Sequence, residues 1–222
     1  MKISVAIDGP AGAGKSTIAK ILSKKFNLNY IDTGAMYRGV TLLAQRKGIN
    51  PEEIEELCKL IKSSEFYFLK DKLFINGEDV SEEIRNVEVT NKVSLYAAVE
   101  EVRELLVDIQ KNISKNYSVI MDGRDIGAIV LPEANVKFFI TASPEIRAKR
   151  RYKELTRKNK IVEYENILQE IIKRDYIDSN REINPLRKVE DAIEIDTSSL
   201  CIDEIVEQMS IYIEKAIESV GD

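Results

Sequence analysis

The 222-residue sequence contains no histidine and only two cysteines. Without histidine, the chain has neither a Ser-His-Asp or Cys-His catalytic group nor a histidine metal ligand. Cys58 and Cys201 do not have the spacing of metal ligands, so we expect two thiols that form no disulfide. Any catalysis must therefore use lysine, arginine, carboxylates, hydroxyls and a metal ion.

Long apolar segments are also missing. No run approaches the ~20 apolar residues that a membrane-spanning helix needs. Met1 and Lys2 lead directly into the first predicted strand, so we expect no secretory signal, no membrane association and a cytoplasmic location. The net charge of −5 argues against a surface that binds nucleic-acid polymers. A phosphate ligand must therefore be held by local clusters of basic residues.

Strand-like segments alternate with amphipathic helices along the chain, which predicts one α/β domain with a parallel sheet of about five strands and helices on both faces. The predicted core strands are 3–7, 28–31, 117–121, 136–141 and 192–195. We expect a core of about residues 1–62, 98–150 and 173–222. An insert of about residues 63–97 has the pattern of an antiparallel hairpin or meander. A lid segment of about residues 151–172 completes the prediction.

Three local predictions concern helix boundaries. Gly48 is expected to end a helix that begins at Ala35. Pro51 is expected to open the next helix, with Asn50 as a candidate N-cap. Residues 153–160 are rich in charge and are predicted to be a mobile connection, before a helix that begins at Ile161.

The clearest functional pattern is a strand, a glycine-rich loop and a helix in residues 3–17. Residues 9–16 fit G-x-x-x-x-G-K-[ST] without a mismatch. Glycines let the backbone curl so that N–H groups form an anion-binding nest at a helix N-terminus. Lys15 is expected to reach the β- and γ-phosphates, and Ser16 to ligate Mg²⁺. The alternative is an ordinary glycine turn before a helix. The predicted triphosphate-binding residues are Gly9, Pro10, Ala11, Gly12, Ala13, Gly14, Lys15, Ser16 and Thr17.

Several arginines admit two interpretations. Arg38 lies in the first turn of a predicted helix, where the helix dipole does not favour a cation, so it lies either in solvent or at a substrate phosphate. The cluster at residues 147–151 forms either a salt-bridged surface or a polyphosphate site. Arg174, Asp178 and Arg181 share a helix face. They form either intrahelical ion pairs of ~0.2–0.5 kcal/mol each or a site for a sugar phosphate.

A phosphate loop does not reveal what is done with the nucleotide. A GTP-dependent switch needs N-K-x-D to read guanine, whereas residues 91–94 are Asn-Lys-Val-Ser and follow no predicted strand. A phosphotransferase needs an acceptor site and exclusion of water, which the insert and the lid segment would supply. Its catalysis would consist of positioning and charge stabilisation. We therefore favour a kinase. Shikimate, dephospho-coenzyme A and adenylate kinases share the loop and core and stay as alternatives.

Five segments together resemble one family. They read IDGP at 7–10, GAGK at 12–15, DTGAMYR at 32–38, DGRDIG at 122–127 and R-D-x-x-D-x-x-R at 174–181. In this combination, the chain is similar over nearly its whole length to the bacterial cytidylate kinases, which are P-loop nucleoside monophosphate kinases. The resemblance implies transfer of the γ-phosphate of ATP to CMP or dCMP with Mg²⁺, in a protein that we expect to be monomeric.

The resemblance also implies particular residue roles. Thr33, Arg38 and Arg124 would lie near the CMP phosphate, Ser94, Arg103 and Asp125 near cytosine, and Arg174, Asp178 and Arg181 near the ribose and base. The expected catalytic residues are Lys15, Arg124, Arg147 and Arg151. Many relatives have serine where Thr33 stands. Some have Gly-Thr in place of Ser16-Thr17, so Thr17 is the alternative to Ser16 as the metal ligand.

Base selection has a simple physical basis. Cytosine carries an N4 amino donor, and a fixed carboxylate such as Asp125 accepts from it. Uracil presents O4 at the same place, with no proton between the two oxygens. Buried polar groups left unpaired in this way reject the wrong base strongly. We therefore predict that Asp125→Ala loses the preference for CMP over UMP.

Overall fold

The computed structural model describes residues 2–69, 71–157, 159 and 161–221. Its strands are β1 (Ser4–Asp8), β2 (Asn29–Asp32), β3 (Phe66–Leu69), β4 (Lys72–Ile75), β5 (Glu78–Asp79), β6 (Val119–Gly123), β7 (Val136–Thr141) and β8 (Ile193–Asp196). Its helices are α1 (Lys15–Lys25), α2 (Thr33–Lys47), α3 (Ile54–Lys62), α4 (Val87–Ala97), α5 (Glu100–Asn116), α6 (Pro144–Arg157), α7 (Tyr164–Asn180) and α8 (Ile202–Gly221). A π-helical turn, Ile126–Val130, follows β6.

The central sheet has five parallel strands in the order β2-β6-β1-β7-β8, which confirms the predicted α/β fold. β1 is the middle strand, and the chain continues to opposite sides of it through β6 and β7. In open sheets of this kind, ligands bind beyond the carboxyl ends of the strands where the order reverses. The loops that follow β1 and β6 therefore meet at one crevice.

Both faces of the sheet are buried. On β1, Ala6 belongs to the apolar cluster that packs against α2, α3 and α5. Its neighbours Val5 and Ile7 belong to the opposite cluster, which includes residues of α1 and α8. This alternation follows from the two-residue period of a strand. β1 is thereby anchored on both sides, and the loop that follows it starts from a rigid position.

The predicted insert at residues 63–97 includes an antiparallel meander, as expected, in which β4 pairs with both β3 and β5. Asn76 and Gly77 form the turn between β4 and β5. The Tyr67 and Phe74 rings stack with their centroids 5.3 Å apart. The apolar cluster that contains Ala6 also contains residues of the meander and of α2. The meander therefore packs onto the body of the domain.

The predicted start of α3 was wrong. The helix begins at Ile54, and Asn50 does not cap it. The side-chain amide and the backbone N–H of Asn50 instead donate to Glu53 Oε2, at 3.2 and 2.7 Å. α2 begins two residues earlier than predicted. It ends as predicted at Gly48, whose φ of 69° lies in the left-handed region that glycine tolerates best.

The predicted mobile connection at 153–160 was also wrong, because α6 continues to Arg157. Residues 158 and 160 lie outside the described residues. α7 begins at Tyr164, after the predicted start at Ile161, and continues to Asn180. Ala148, Ile167 and Ile171 form a small apolar cluster of their own. This packing stabilises α6 and α7 as a pair, a long-range effect that the local charge pattern concealed.

Two further features concern the chain as a whole. Cys58 and Cys201 are both free thiols, as expected. Among the described residues, no helix combines the length and hydropathy that a membrane crossing requires.

Candidate active site

The glycine-rich loop joins β1 to α1 across residues 9–14. Gly9 has a φ of 146°, and a Cβ at this position would collide with the backbone oxygen of Ile140 on β7. Only glycine fits there. Gly14 precedes α1 in the left-handed conformation, and within the described chain no side chain caps this helix and no acid occupies its first turn. The positive end of the α1 dipole therefore stays available to an anion.

Lys15 is buried behind this loop. Its Nζ donates a hydrogen bond to the Pro10 carbonyl oxygen at 2.8 Å. Burial lowers the pKa of Lys15, and the positive charge of Arg124 lowers it further. A phosphate near Nζ would offset both effects, since a negative charge favours the protonated amine.

The carboxylate of Asp122, at the end of β6, accepts hydrogen bonds on both oxygens. Ser16 Oγ donates to Oδ2 at 2.9 Å, and the Tyr30 hydroxyl donates to Oδ1 at 2.7 Å. Burial raises the pKa of Asp122, and the nearby charge of Asp32 raises it further. Asp122 is not among the site residues predicted from the sequence. Its position at the carboxyl end of a buried strand was the available signal.

Ser16 and Asp122 would offer a metal ion oxygen ligands, which suit Mg²⁺ better than softer metals. Among the described residues, no group of three or more His, Cys, Asp or Glu could hold a metal ion. An ion here would therefore take its remaining ligands from a substrate and from water. That is the usual arrangement for magnesium in kinases.

A second site is called here the arginine cleft, and two of its arginines, Arg124 and Arg174, are close enough to Lys15 for their charges to lower its pKa. All nine residues predicted to bind CMP line it, and they come from α2, α4, α5, α7 and the loops after β6 and α7. They are Thr33, Arg38, Ser94, Arg103, Arg124, Asp125, Arg174, Asp178 and Arg181. Tyr37 and Ile177 also line the cleft, although the sequence analysis gave neither a role. Their apolar surfaces provide walls that could pack against a base or sugar.

Buried charge pairs organise one end of the cleft. Arg103 forms an almost fully buried ion pair with Asp125, and its guanidinium carbon lies 5.5 Å from the centre of the Tyr37 ring. Arg181 Nη2 lies 3.6 Å from Asp125 Oδ1. Asp125 is thus held between two arginines, in the orientation that the packing of α5 and α7 allows.

The other end contains Arg124, Arg174 and Asp178. Arg124 Nε donates to Asp178 Oδ2 at 2.8 Å, while Arg174 Nε is 4.0 Å away from the same oxygen. Burial acts to raise the pKa of Asp178, but the charges of Arg124 and Arg174 hold it below its usual value. The main partner of Asp178 therefore comes from another element, and the simple intrahelical interpretation does not describe this segment.

Positive charge exceeds negative charge in the cleft, because five arginines and only two aspartates line it. Burial lowers the pKa of Arg38, and it lowers that of Arg174 to about 10. Three buried guanidinium nitrogens have no hydrogen-bond partner among the described residues: Arg103 Nε, Arg174 Nε and Arg181 Nη2. Buried donors left unpaired cost free energy. The cleft is therefore suited to an anionic ligand rich in acceptors.

The structure separates two arginines that were predicted together as catalytic. The Arg147 side chain is 3% exposed, forms a two-point ion pair with Asp175, and donates from Nη1 to the Ala11 carbonyl of the loop at 2.9 Å. Arg151 is 46% exposed and pairs with Glu154 at 2.8 Å. Only Arg147 contacts the glycine-rich loop, and neither residue lines the arginine cleft.

The chain is similar to known proteins in sequence and in fold. A family model described as cytidylate kinase matches residues 5–215. A cytidylate kinase from Clostridium tetani is 64% identical over 217 residues, which cover 98% of this chain and 96% of the relative. One from Clostridium acetobutylicum is 58% identical, covering 98% of this chain and 100% of the relative. A gluconokinase structure from Sinorhizobium meliloti covers 98% of this chain and 95% of its own, with a TM-score of 0.52 and 11% identity, and so supports the fold alone.

Proposed function

Because the chain belongs to the cytidylate kinase family, we propose that it transfers the γ-phosphoryl group of ATP to CMP or dCMP, giving CDP or dCDP. The observation that carries this proposal is the arginine cleft beside the glycine-rich loop. The cleft has surplus positive charge and unpaired buried donors, and it contains every residue predicted to bind CMP. A phosphate donor in the loop and a phosphate acceptor in the cleft would then be neighbours.

We assign the acceptor's phosphate to Arg38 and Arg124, which both line the cleft and are close enough for the charge of Arg124 to lower the pKa of Arg38. Thr33 belongs to the same group. Its hydroxyl donates to the backbone oxygen of Asp122 at 2.7 Å, and rotation about the Cβ–Oγ1 bond would turn the same proton toward a phosphate oxygen. Asp125 and Arg103, with Ser94, are assigned to cytosine. The two side chains already form a rigid pair, so the base meets a carboxylate in a defined position.

Arg174, Asp178 and Arg181 are assigned to the ribose and base. Asp178 and Arg124 are paired, so the group that recognises the sugar and the group that recognises the phosphate are positioned together. The deoxy and ribo forms differ only at the 2′ position, so this assignment covers both CMP and dCMP.

The transfer needs no side-chain base. The second pKa of a phosphate monoester is about 6, so the acceptor's phosphate oxygen is already largely deprotonated at pH 7. That oxygen attacks the γ-phosphorus, and the bond from this phosphorus to the bridging oxygen breaks. ADP leaves with the electron pair. Lys15, Arg124, Arg147 and Arg151 are the proposed sources of positive charge, and the loop backbone supplies N–H donors.

We propose Mg²⁺ as the metal, held by Ser16 and Asp122 together with substrate oxygens. The Ser16–Asp122 hydrogen bond favours Ser16 over Thr17, which is exposed. When bound, the ion would neutralise charge on the β- and γ-phosphates. Ser16 and Asp122 orient this position, while Gly9, Pro10, Ala11, Gly12, Ala13, Gly14, Lys15 and Thr17 surround the phosphates in the proposal.

We also propose that the insert and the lid segment close over the two substrates and exclude water. The insert contributes Ser94 to the cleft. It is also joined to α2, the helix of Arg38, because Arg46 on α2 forms ion pairs with Glu78 and Glu83 of the insert. We further propose that the protein is cytoplasmic and monomeric and binds neither nucleic-acid polymers nor membranes. Light scattering at a mass near 25.2 kDa tests the monomer.

A panel of acceptors tests the function. The purified protein is mixed with ATP and Mg²⁺, and ADP release is measured with CMP, dCMP, UMP, AMP, shikimate and dephospho-coenzyme A in separate reactions. We expect the highest kcat/KM with CMP or dCMP. A higher value with any other acceptor would overturn the assignment, and slow hydrolysis of GTP that no acceptor accelerates would favour a switch protein.

A further inference from the structure

Tyr30 is a buried tyrosine whose hydroxyl donates a hydrogen bond to Asp122. The residue is 3% exposed, and it belongs to the apolar cluster beneath α1 and α8. On β2, Tyr30 precedes Asp32 by two residues, and Asp32 is in register with Asp122 of β6. Side chains two residues apart on a strand lie on the same face. Tyr30 therefore reaches Asp122 diagonally from the neighbouring strand, and its hydroxyl donates at 2.7 Å.

This hydrogen bond determines how Asp122 is presented to Ser16. With Oδ1 occupied by Tyr30, Oδ2 is the oxygen that accepts the Ser16 proton, at 2.9 Å. Because the Ser16 proton points toward Asp122, the lone pairs of Ser16 Oγ are available to a cation. A phenylalanine at position 30 would pack equally well but would leave the carboxylate free to rotate.

We propose that Tyr30 is a positioning residue for the Mg²⁺ of bound ATP, acting through its hydrogen bond to Asp122 and from there on Ser16. This inference rests on the proposed function, since it requires a metal–nucleotide substrate. Groups that orient metal ligands in this way typically change metal affinity or activity by 10–100-fold when they are removed. The competing explanation is that the hydroxyl contributes only to folding.

The test compares Tyr30→Phe with a matched control, Tyr96→Phe. Tyr96 is 4% exposed, and its hydroxyl donates to the Ile49 carbonyl oxygen at 2.8 Å, so the two changes remove equivalent groups. Calorimetry measures ATP binding with Mg²⁺ and with EDTA. A titration of ADP formation against free Mg²⁺ gives the half-activating concentration.

For Tyr30→Phe, we expect the Kd of ATP with Mg²⁺ and the half-activating Mg²⁺ concentration each to rise about 10-fold. Binding of ATP in EDTA should change less than about 2-fold, and Tyr96→Phe should change none of these values. Equal weakening of ATP binding with and without Mg²⁺, or no change at all, would overturn the role of Tyr30. If the wild-type protein itself shows no response to Mg²⁺, the proposed function fails as well, so the two failures are distinguishable.

Discussion

The glycine-rich loop and the arginine cleft are neighbouring sites built in opposite ways. The loop comes from consecutive residues, and its properties depend on backbone geometry, such as the position of Gly9 against β7. The cleft is assembled from residues between Thr33 and Arg181, and it depends on how five arginines share two aspartates. We infer that substitutions in the loop have local effects, whereas substitutions in the cleft also disturb the charged partners that remain.

The largest expected effect comes from the loop. Lys15→Ala should lower kcat by roughly 10²–10³-fold, because it removes a charge that stabilises the transition state. Since the side-chain hydrogen bond of Lys15 among the described residues lies within its own loop, the fold should be retained. Steady-state kinetics and circular dichroism measure the two properties. Lys24→Ala, an exposed change on the same helix, is the control. Undiminished turnover in a folded Lys15→Ala protein would contradict the assignment.

The next prediction concerns Asp8, which connects the two sites. It ends β1 before the loop, and its carboxylate accepts 2.8 Å hydrogen bonds from the backbone N–H groups of Ile126 and Gly127, just after Asp125. Burial raises the pKa of Asp8 to about 6, despite the opposing effect of these two N–H groups. A raised carboxyl pKa means that the folded state binds the proton more tightly than the unfolded state.

This contribution to stability is therefore complete below the unfolded pKa of about 4 and is lost as the pH rises through 6. The two pKa values differ by about two units, which corresponds to about 3 kcal/mol. Urea unfolding of the wild type and of Asp8→Asn measures this contribution. Between pH 4 and 7, the free energy of unfolding of the wild type minus that of the variant should fall by about 3 kcal/mol. If this difference in free energy did not vary with pH, the pKa of Asp8 would not be raised in the folded state.

A smaller effect is expected from the base-binding end of the cleft. The proposed Asp125→Ala change would leave Arg103 buried without its partner, which costs about 3–5 kcal/mol. Asp125→Asn keeps the shape and is the better test. Because an amide can present its N–H₂ group to uracil O4, we expect the ratio of kcat/KM for CMP to that for UMP to fall roughly 10-fold.

Asp178→Asn is the matched control for this change. It alters the other cleft carboxylate, which faces Arg124. Because Asp178 is paired with Arg124, which is assigned to the phosphate, Asp178→Asn should lower kcat/KM for CMP and UMP by similar factors, and their ratio should change less than it does in Asp125→Asn. An unaltered ratio in Asp125→Asn would mean that the base is recognised elsewhere.

The smallest effect is expected outside both sites. Arg151→Ala removes an exposed pair with Glu154, so the free energy of unfolding should change by less than about 0.5 kcal/mol, measured by urea titration. The same variant tests the proposed catalytic role of Arg151, because in a closed lid the residue would contact transferring phosphate. A kcat equal to that of the wild type would remove Arg151 from the catalytic group.

Much of the molecule was predictable because its signals are local in sequence. The alternation of strands and helices predicts the five-stranded parallel sheet, and the spacing of Gly9, Gly14 and Lys15 predicts a backbone geometry within one continuous segment. The errors occurred where a distant contact outweighed the local pattern. Residues 153–157 of the charged stretch are helical because α7 packs against α6.

By itself, the sequence determined the fold class and the family, and through the family resemblance it named the residues that line the cleft. Only the tertiary structure decided which charges meet. Arg124 pairs with Asp178, 54 residues away, and Arg147 lies buried against the loop while Arg151 faces solvent. It also joined Tyr30 and Asp122 to Ser16 by hydrogen bonds. Asp122 belongs to the DGRDIG segment but had no assigned role, and Tyr30 belongs to none of the five segments. Side-chain partners depend on the packing of separate elements, and local spacing carries no information about distances between them.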